Sequence, residues 1–265
     1  MDKEHAIMIL EKFSLTGKVA LITGGAGLYG RQMVEALAEA GAKTYIASRN
    51  VEALEVVAAD HHRAKGYDVT ALALDQAQEA SIHQVRDQII KQSGCIDILV
   101  NNAVARPMKK GWQDDAATFS ESMEVNATGL FLITRAIGDA MAEGGSIINI
   151  GSIMGMVGPD PTLYEGTNMH GWYPDYFFHK GGMINFTRFV ASYYGAKGIR
   201  CNCISPGGFS NHQPAEFVQR YSARTFLGRM ADDQDMKGIL VFLASDASLY
   251  ITGTNIPVDG GYTAK

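Results

Sequence analysis

Short runs of consecutive apolar residues alternate along the chain with longer stretches in which apolar residues recur every three or four positions. Uninterrupted runs of this length are typical of strands buried on both faces, and the wider spacing is typical of helices with one buried face. The runs predict seven strands, at residues 18–23, 44–48, 68–74, 96–100, 145–150, 199–204 and 255–258. The spaced stretches predict helices at about 31–41, 51–65, 79–93, 116–142, 176–196 and 233–244.

This alternation of strand and helix predicts an α/β fold. Its parallel strands form one Rossmann-type, doubly wound sheet of about seven strands, with helices on both faces. In such a sheet, ligands bind at the carboxyl ends of the strands. The pattern contains no linker, repeat or low-complexity tract, so we expect a single domain over residues 1–265. Residues 1–12 are expected to form an N-terminal extension, a short helical lead-in without visible chemistry.

Composition narrows the class of protein. The chain has 265 residues, of which 46% are hydrophobic and 19% charged, enough to bury the core of one large domain. The net charge of -5 and the absence of a basic block argue against a nucleic-acid partner. The apolar runs are too short for a membrane span or a signal-peptide core. With three cysteines and no metal-ligand spacing, we expect a cytoplasmic protein in which Cys201 and Cys203 fill a strand.

A glycine-rich turn joins the first predicted strand to the first predicted helix. Gly24, Gly27 and Gly30 lie in this turn, with Leu28 and Tyr29 between the last two. The backbone N–H groups at a helix N-terminus bind phosphate, and glycines let the anion approach closely. A strand, this turn and a helix in that order predict a dinucleotide site.

Ser48, Arg49 and Asn50 follow the second predicted strand, whose end faces the adenosine ribose in a dinucleotide-binding sheet. An acid there would bond both ribose hydroxyls, whereas an arginine would accept a 2′-phosphate. Because Ser48-Arg49 contains no acid, the sequence favours NADP(H), with NAD(H) as the alternative. A solvated arginine at a strand end would explain Arg49 equally simply.

Tyr176 and Lys180 are four residues apart in a predicted helix, so they share one helix face. A free phenol has a pKa of about 10. A positive charge about 4 Å away favours the phenolate by about 4 kcal/mol at an effective dielectric of about 20. That charge would lower the phenol pKa towards neutrality and make Tyr176 a proton donor and acceptor. The simpler alternative is a core tyrosine beside a solvated lysine.

Several short motifs, taken in order, make the chain similar to the short-chain dehydrogenase/reductase family, in its short single-domain form, from about residue 14 to 262. They are Thr23-Gly24 to Gly30, Asn101-Asn102-Ala103, Asn126, Ser152, Tyr176 with Lys180, Pro206-Gly207 and Val258-Asp259-Gly260-Gly261. The resemblance implies a nicotinamide dinucleotide cofactor and the interconversion of a secondary alcohol and a ketone.

The resemblance also implies roles for individual residues. Tyr176 would exchange a proton with the substrate oxygen, Lys180 would lower the Tyr176 pKa and bond the nicotinamide ribose, and Ser152 would hydrogen-bond the carbonyl oxygen. Asn126 would hold a water that links Lys180 to solvent. The implied cofactor contacts beyond the glycine turn and the tyrosine–lysine pair follow strand ends, at Asp75, Gln76, Asn102, Ala103, Pro206, Gly207 and Phe209.

The chain departs from the family pattern at several positions. Leu28 stands where the short form usually has a glycine, a spacing more typical of the longer, epimerase-like branch. The length and the ending of the chain favour the short form. Val104 replaces a glycine after the asparagine motif, and Asn211 stands where a threonine commonly bonds the nicotinamide amide, with Ser210 beside it as a substitute.

The interval between Ser152 and Tyr176 is longer than is usual in that family, and the surplus is an insertion at residues 158–174. Because it joins two catalytic residues, this insertion should border the active site. Its side chains suit a polyhydroxylated ligand: Asp160, Tyr164, Glu165, Thr167, Asn168, His170 and Trp172. We hypothesise a sugar, sugar acid or polyol substrate, as in gluconate 5-dehydrogenase-like members; an oligomer-contact loop is the alternative. Residues 208–228 should form a substrate flap, which is expected to be mobile and helical over residues 211–228.

The sequence therefore predicts an NADP(H)-preferring oxidoreductase with a small-molecule substrate. A 3-oxoacyl-thioester reductase is the nearest rival, disfavoured because Lys109 and Lys110 form the only adjacent lysine pair that an acidic carrier protein could meet. A nucleotide-sensing protein without catalysis is the rival from another class. The resemblance implies a homotetramer or homodimer built through helices 116–142 and 176–196.

Overall fold

A seven-stranded parallel sheet runs through the centre of the computed structural model, which describes residues 8–169 and 173–264. The strands are β1 (Val19–Thr23), β2 (Lys43–Ser48), β3 (Val69–Ala73), β4 (Ile98–Asn101), β5 (Ser146–Ile150), β6 (Arg200–Pro206) and β7 (Asn255–Val258). Their order in the sheet is β3-β2-β1-β4-β5-β6-β7. The order reverses between β1 and β4, and a ligand crevice forms at the carboxyl ends of strands at such a point.

Eight α-helices cover the two faces of the sheet over the described residues. They are α1 (Leu28–Glu39), α2 (Val51–Lys65), α3 (Glu79–Ser93), α4 (Ala116–Met123), α5 (Leu130–Ala140), α6 (Pro174–Tyr194), α7 (Ala215–Ser222) and α8 (Lys237–Ala244). The predicted doubly wound α/β fold is thus confirmed. Within the described residues, no helix combines the length and the apolar character needed to cross a membrane.

The uninterrupted apolar runs have a direct structural cause. Successive residues of a strand point to opposite faces of the sheet, so Leu21 packs in the core on one face and Ile22 in the core on the other. Every residue of β1, β5 and β6 is buried. Cys201 and Cys203 are fully buried free thiols in β6, as the sequence predicts.

The long helix predicted over residues 116–142 is present over residues 116–140, with one irregularity that the sequence did not predict. A π-helical turn at Glu124–Gly129 separates α4 from α5. Gln76 holds this turn by donating a hydrogen bond from Nε2 to the Val125 carbonyl at 3.1 Å. Such π-helical turns are often found at functional sites, and this one contains Asn126.

The insertion and the predicted flap pack against each other. Pro161–Leu163 forms a short 3₁₀ turn, and α6 begins at Pro174, because proline is favoured at the first helical position. The predicted helical flap is helical only at Ala215–Ser222. Leu163 and Phe217 meet in a third, smaller core. Of the predicted N-terminal extension, residues 1–7 lie outside the described part of the chain, and a 3₁₀ turn follows at Glu11–Phe13.

Candidate active site

A cavity of about 640 Å³ opens at the carboxyl edge of the sheet. It is bordered by the glycine turn after β1, the loops after β4, β5 and β6, the start of α6, and α7. Fourteen of the predicted site residues line this cavity: Gly24, Gly27, Leu28, Tyr29, Gly30, Ser48, Asn102, Ala103, Ser152, Tyr176, Lys180, Pro206, Gly207 and Phe209.

The glycine turn has the shape of an anion cradle. Gly24 has a φ of +71°, and a Cβ on Gly30 would lie 2.3 Å from the Gly24 carbonyl oxygen. Helix α1 starts after Gly27, which supplies no side-chain cap, so the first N–H groups of the helix are free for a ligand. Asn102 fixes the turn by donating from Nδ2 to the carbonyls of Thr23 and Gly24, at 3.0 and 2.9 Å. This cradle fits the diphosphate of a dinucleotide.

Tyr29 connects the glycine turn to the loop after β6. Its hydroxyl donates a hydrogen bond to the Gly207 carbonyl at 2.9 Å, and its ring meets Phe209 edge to face at 5.2 Å. Burial raises the Tyr29 pKa, so the phenol stays neutral and remains a donor. The side chain thus fixes the distance between two loops that border the predicted cofactor path.

Tyr176 and Lys180 lie one turn apart on α6, as their spacing predicts. The Lys180 ammonium is buried, lies 5.7 Å from the centre of the Tyr176 ring, and donates to the Ile150 carbonyl. Burial favours the neutral phenol, but the charges of Lys180 and Arg106 and a hydrogen bond with Ser152 outweigh it and lower the Tyr176 pKa. Burial lowers the Lys180 pKa, against the opposing effect of Tyr176. Tyr176 is therefore a stronger acid here than a free phenol, and the cluster can give and take a proton.

Arg106 is a site residue that the sequence reasoning missed. Its guanidinium carbon lies 4.6 Å from the centre of the Tyr176 ring, and the residue lines the cavity. The available signal was a cation in the loop that follows the Asn101-Asn102-Ala103 motif at the end of β4. A guanidinium here can bind a carboxylate or another oxyanion on a substrate.

Asn126 holds the loop that carries Arg106, through hydrogen bonds to the Ala105 backbone. Its Oδ1 accepts from the Ala105 N–H, and its Nδ2 donates to the Ala105 carbonyl, both at 2.8 Å. Nδ2 also donates to Ser122 Oγ at 3.0 Å. The side chain therefore holds this loop against Ser122 and does not line the cavity. The predicted water between Asn126 and Lys180 stays a prediction.

Four further predicted cofactor residues lie outside the cavity lining. Arg49 is exposed beside Ser48, and Asn50 caps α2 by accepting from the Ala53 N–H at 3.0 Å. Asp75 accepts from the Ala77 N–H at 3.1 Å, and Gln76 is the buried residue that holds the π-helical turn. Their cofactor contacts stay predictions.

Two arginines of the flap segment tie the insertion to α7 and the residues that follow it. Arg224 pairs with Asp160 and donates to Thr162 Oγ1 at 2.6 Å. Arg220 donates to the carbonyl oxygens of Thr162 and Glu165. Cavity-lining residues on the two segments include Tyr164, Met169, Phe217 and Tyr221. Of the polar and aromatic residues named in the insertion, His170 and Trp172 lie outside the described residues.

The fold is a parallel doubly wound sheet, and its carboxyl edge carries this glycine cradle and a tyrosine whose pKa is lowered by a lysine. Together these features define an oxidoreductase of the NAD(P)-dependent dehydrogenase type. A sequence profile described as enoyl-(acyl carrier protein) reductase matches residues 27–263. The chain belongs to the short-chain dehydrogenase/reductase family.

Comparisons with individual proteins agree with that membership. The chain is 34% identical to 2-dehydro-3-deoxy-D-gluconate 5-dehydrogenase of Escherichia coli, over 97% of this chain and 100% of the relative. It is 31% identical to D-threitol dehydrogenase of Mycolicibacterium smegmatis over 100% of both chains. The crystal structure of a short-chain dehydrogenase/reductase from Mycobacterium marinum superposes with a TM-score of 0.86 at 31% identity, covering 98% of this chain and 100% of that one.

Proposed function

We propose that the protein interconverts a secondary alcohol and a ketone on a sugar, sugar acid or polyol, with NADP(H) as the preferred cofactor. The observation that carries this proposal is the convergence of Tyr176, Ser152 and Lys180 on one cavity beside the glycine cradle. When bound, the nicotinamide supplies or accepts a hydride, so that ketone, NADPH and a proton give alcohol and NADP⁺. The residues of the chain supply the proton and hold the substrate.

In the direction of reduction, Tyr176 gives its phenolic proton to the carbonyl oxygen of the substrate. Ser152, which is hydrogen-bonded to Tyr176, is positioned to donate to the same oxygen as negative charge develops on it. The buried charge of Lys180 stabilises the phenolate that remains. In our proposal Asn126 keeps its implied role, in which a water joins Lys180 to solvent and replaces the proton. Oxidation uses the same groups in reverse order.

The chemistry of the cavity supports a polar substrate. Arg106 places a guanidinium next to Tyr176, and a guanidinium binds carboxylates in a two-pronged geometry. The two curated relatives named above carry the names of dehydrogenases of a deoxy-gluconate and of a polyol. Within the proposal, the described part of the insertion, residues 158–169 and 173–174, and the flap at 208–228 border the substrate. Their ties through Arg220 and Arg224 make them one unit.

NADP(H) preference is supported by Arg49. This exposed arginine directly follows Ser48, which lines the cavity at the end of β2. A ribose 2′-phosphate at this strand end would meet the guanidinium, whereas NAD(H) would lack the acid that usually bonds its ribose hydroxyls.

A substrate panel tests the proposed activity. Reduction of erythrulose, 5-ketogluconate, 2-butanone and an acetoacetyl thioester would be followed through the absorbance of NADPH and, separately, NADH. We expect the highest kcat/KM with a hydroxylated ketone and NADPH.

With Arg106→Ala, activity on 5-ketogluconate should fall about 10- to 100-fold, the usual contribution of a charge-assisted hydrogen bond. The loss on uncharged erythrulose should be smaller, because Arg106 acts on that substrate only through the Tyr176 pKa, an effect that both substrates share. Preference for the apolar ketone would contradict the sugar assignment.

A 3-oxoacyl-thioester reductase is the second candidate, and one feature of the cavity favours it. Four methionines line the cavity, which suits an apolar chain: Met108, Met154, Met169 and Met230. A relative from Aquifex aeolicus, 30% identical over 94% of this chain and 99% of its own, carries the name 3-oxoacyl-[acyl-carrier-protein] reductase. A higher kcat/KM for the acetoacetyl thioester than for every hydroxylated ketone would transfer the assignment to this activity.

Exposed aromatic residues support the proposal that the protein is a homodimer or homotetramer. Phe178, Phe189 and Tyr193 on α6 are 67%, 61% and 66% exposed, and Phe131 on α5 is 42% exposed. Exposed apolar surface of this kind is typical of protein interfaces. The protein's mass in solution, measured by light scattering, would test the assembly.

The free cysteines, two of them buried, fit the reducing cytoplasm that we propose as the location of the protein.

A further inference from the structure

Asp175 is a buried acid directly before Tyr176 in the first turn of α6. It is 2% exposed and belongs to the cavity lining. Its Oδ2 accepts a hydrogen bond from Ser122 Oγ, whereas its Oδ1 has no hydrogen-bond partner among the described residues. One oxygen of a buried carboxyl group beside the catalytic tyrosine is therefore left without a hydrogen-bond donor among the described residues.

The orientation of this carboxylate is fixed by a one-way series of hydrogen bonds. Asn126 Nδ2 donates to Ser122 Oγ at 3.0 Å, so the single proton of Ser122 is directed to Asp175. Asp175 does not cap α6 either, because among the described residues Oδ2 is bonded to Ser122 and Oδ1 has no partner. A purely structural role needs only Oδ2. A buried polar oxygen without a donor is unfavourable and calls for a ligand or a functional explanation.

The surrounding charges select the kind of donor. Lys180 and Arg106 line the same cavity, and both are close enough to Tyr176 to lower its pKa. A third cation in this space would be repelled by these two, whereas an uncharged hydroxyl would meet no such penalty. Carboxylates accept hydrogen bonds from hydroxyl groups readily and strongly.

We propose that Asp175 is a specificity-determining residue whose Oδ1 accepts a hydrogen bond from a substrate hydroxyl other than the oxygen that Tyr176 protonates. The inference rests on the proposed function and deepens it. It makes a hydroxylated ketone the substrate class and gives the hydroxyl a defined partner, on the side of the cavity where Ser122 and Asn126 support the acid.

The test compares two ketones with the same four-carbon chain, erythrulose and 2-butanone, in the wild type and in Asp175→Asn. Asparagine has nearly the same shape and can still accept from Ser122, but its amide group presents a donor in place of the free oxygen. We expect Asp175→Asn to lower kcat/KM for erythrulose about 10- to 100-fold. Activity on 2-butanone, NADPH affinity measured by fluorescence and the melting temperature should stay close to wild type. Asp87→Asn, at an exposed acid on α3, is the matched control.

The outcomes separate this inference from the proposed function. If the wild type prefers erythrulose and Asp175→Asn keeps that preference unchanged, the inference is wrong and the proposed function stands. Equal losses on both ketones with a lower melting temperature would show a structural role and would also overturn the inference. A wild type that prefers 2-butanone, or that reduces neither ketone, would instead contradict the proposed function.

Discussion

The ammonium of Lys180 lies 5.7 Å from the centre of the Tyr176 ring, one turn further along α6. Lys180 is 3% exposed and donates to the Ile150 carbonyl, which holds the charge inside the protein. A charge acts more strongly through a protein interior than through water. Burial, which alone would favour the neutral phenol, is therefore offset by a charge that is itself buried.

Removal of the Tyr176 hydroxyl should abolish turnover without removing the cofactor. General acid catalysis contributes about 100- to 10,000-fold, so Tyr176→Phe should lose activity by that order. NADPH affinity, followed by fluorescence titration, should stay near wild type, because the ring remains in place. Tyr193→Phe, at an exposed tyrosine of the same helix, is the control and should keep full activity. Equal activity of Tyr176→Phe would show that the catalytic assignment is wrong.

The pH dependence of alcohol oxidation should report the effect of Lys180. Oxidation needs the phenolate, so kcat/KM should rise with pH up to the Tyr176 pKa and then level off. Because Lys180 and Arg106 lower that pKa against the effect of burial, this rise lies below the range of a free phenol. Lys180→Met removes one of the two charges and should move the rise to higher pH. A pH profile of oxidation that keeps its position in Lys180→Met would remove Lys180 as the tuning residue.

Cofactor choice should depend on Arg49. If its guanidinium binds the 2′-phosphate, Arg49→Ala should weaken NADPH binding about 10- to 100-fold and leave NADH binding nearly unchanged. The two dissociation constants can be measured by calorimetry. Arg63→Ala, at an exposed arginine further along α2, should change neither. A preference for NADPH that survives Arg49→Ala would show that another group selects the phosphate.

Gly30 lies so close to the Gly24 backbone that adding a methyl group at this position should weaken cofactor binding and destabilise the protein. A Cβ at this position would lie 2.3 Å from the Gly24 carbonyl oxygen, so Gly30→Ala must displace the anion cradle. We expect weaker binding of both dinucleotides and a loss of about 1–3 kcal/mol in the free energy of unfolding, as in other overpacked sites. Gly238→Ala in α8 meets no atom within 4 Å. It should stabilise the protein by about 0.5–1 kcal/mol in urea unfolding.

His179 should make the protein sensitive to acid. It is buried against the Tyr176 ring, with centroids 5.3 Å apart. Burial, with the charges of Lys180 and Arg106, lowers its pKa from 6.5 to about 3. Between pH 6.5 and pH 3, this imidazole is therefore protonated in the unfolded chain but neutral in the folded protein. Its titration does not affect the free energy of unfolding above pH 6.5. Below that pH it should lower this free energy by up to about 1.4 kcal/mol per pH unit, down to about pH 3.

Replacing His179 with glutamine isolates this effect from the titration of other groups. The unfolding free energy of His179→Gln should fall less steeply with decreasing pH than that of the wild type. His62→Gln, at an exposed histidine of α2, serves as the control. Parallel curves for His179→Gln and the wild type would contradict a contribution from this imidazole.

Much of the fold and part of the site follow from local sequence. The glycine turn, the strand ends and the Tyr176–Lys180 spacing are local patterns. They place fourteen of the predicted residues in the cavity lining, whereas Arg49, Asn50, Asp75 and Gln76, which follow β2 and β3, lie outside it. Local patterns failed at the π-helical turn, because Gln76 and the Ala105 backbone, both distant in the chain, bond to it. Arg106 was missed for the same reason, since its position depends on the loop that Asn126 holds.

By itself, the sequence determined the succession of strands and helices, the dinucleotide cradle and the pairing of a phenol with an ammonium, because all three depend on residues within a few positions of one another. Tertiary structure alone decided that Arg106 faces Tyr176, that the insertion is tied to α7 and that one oxygen of Asp175 has no hydrogen-bond partner among the described residues. These relationships join segments that are far apart in the chain. Burial and charge at such contacts arise only when the segments pack, and no local pattern encodes them.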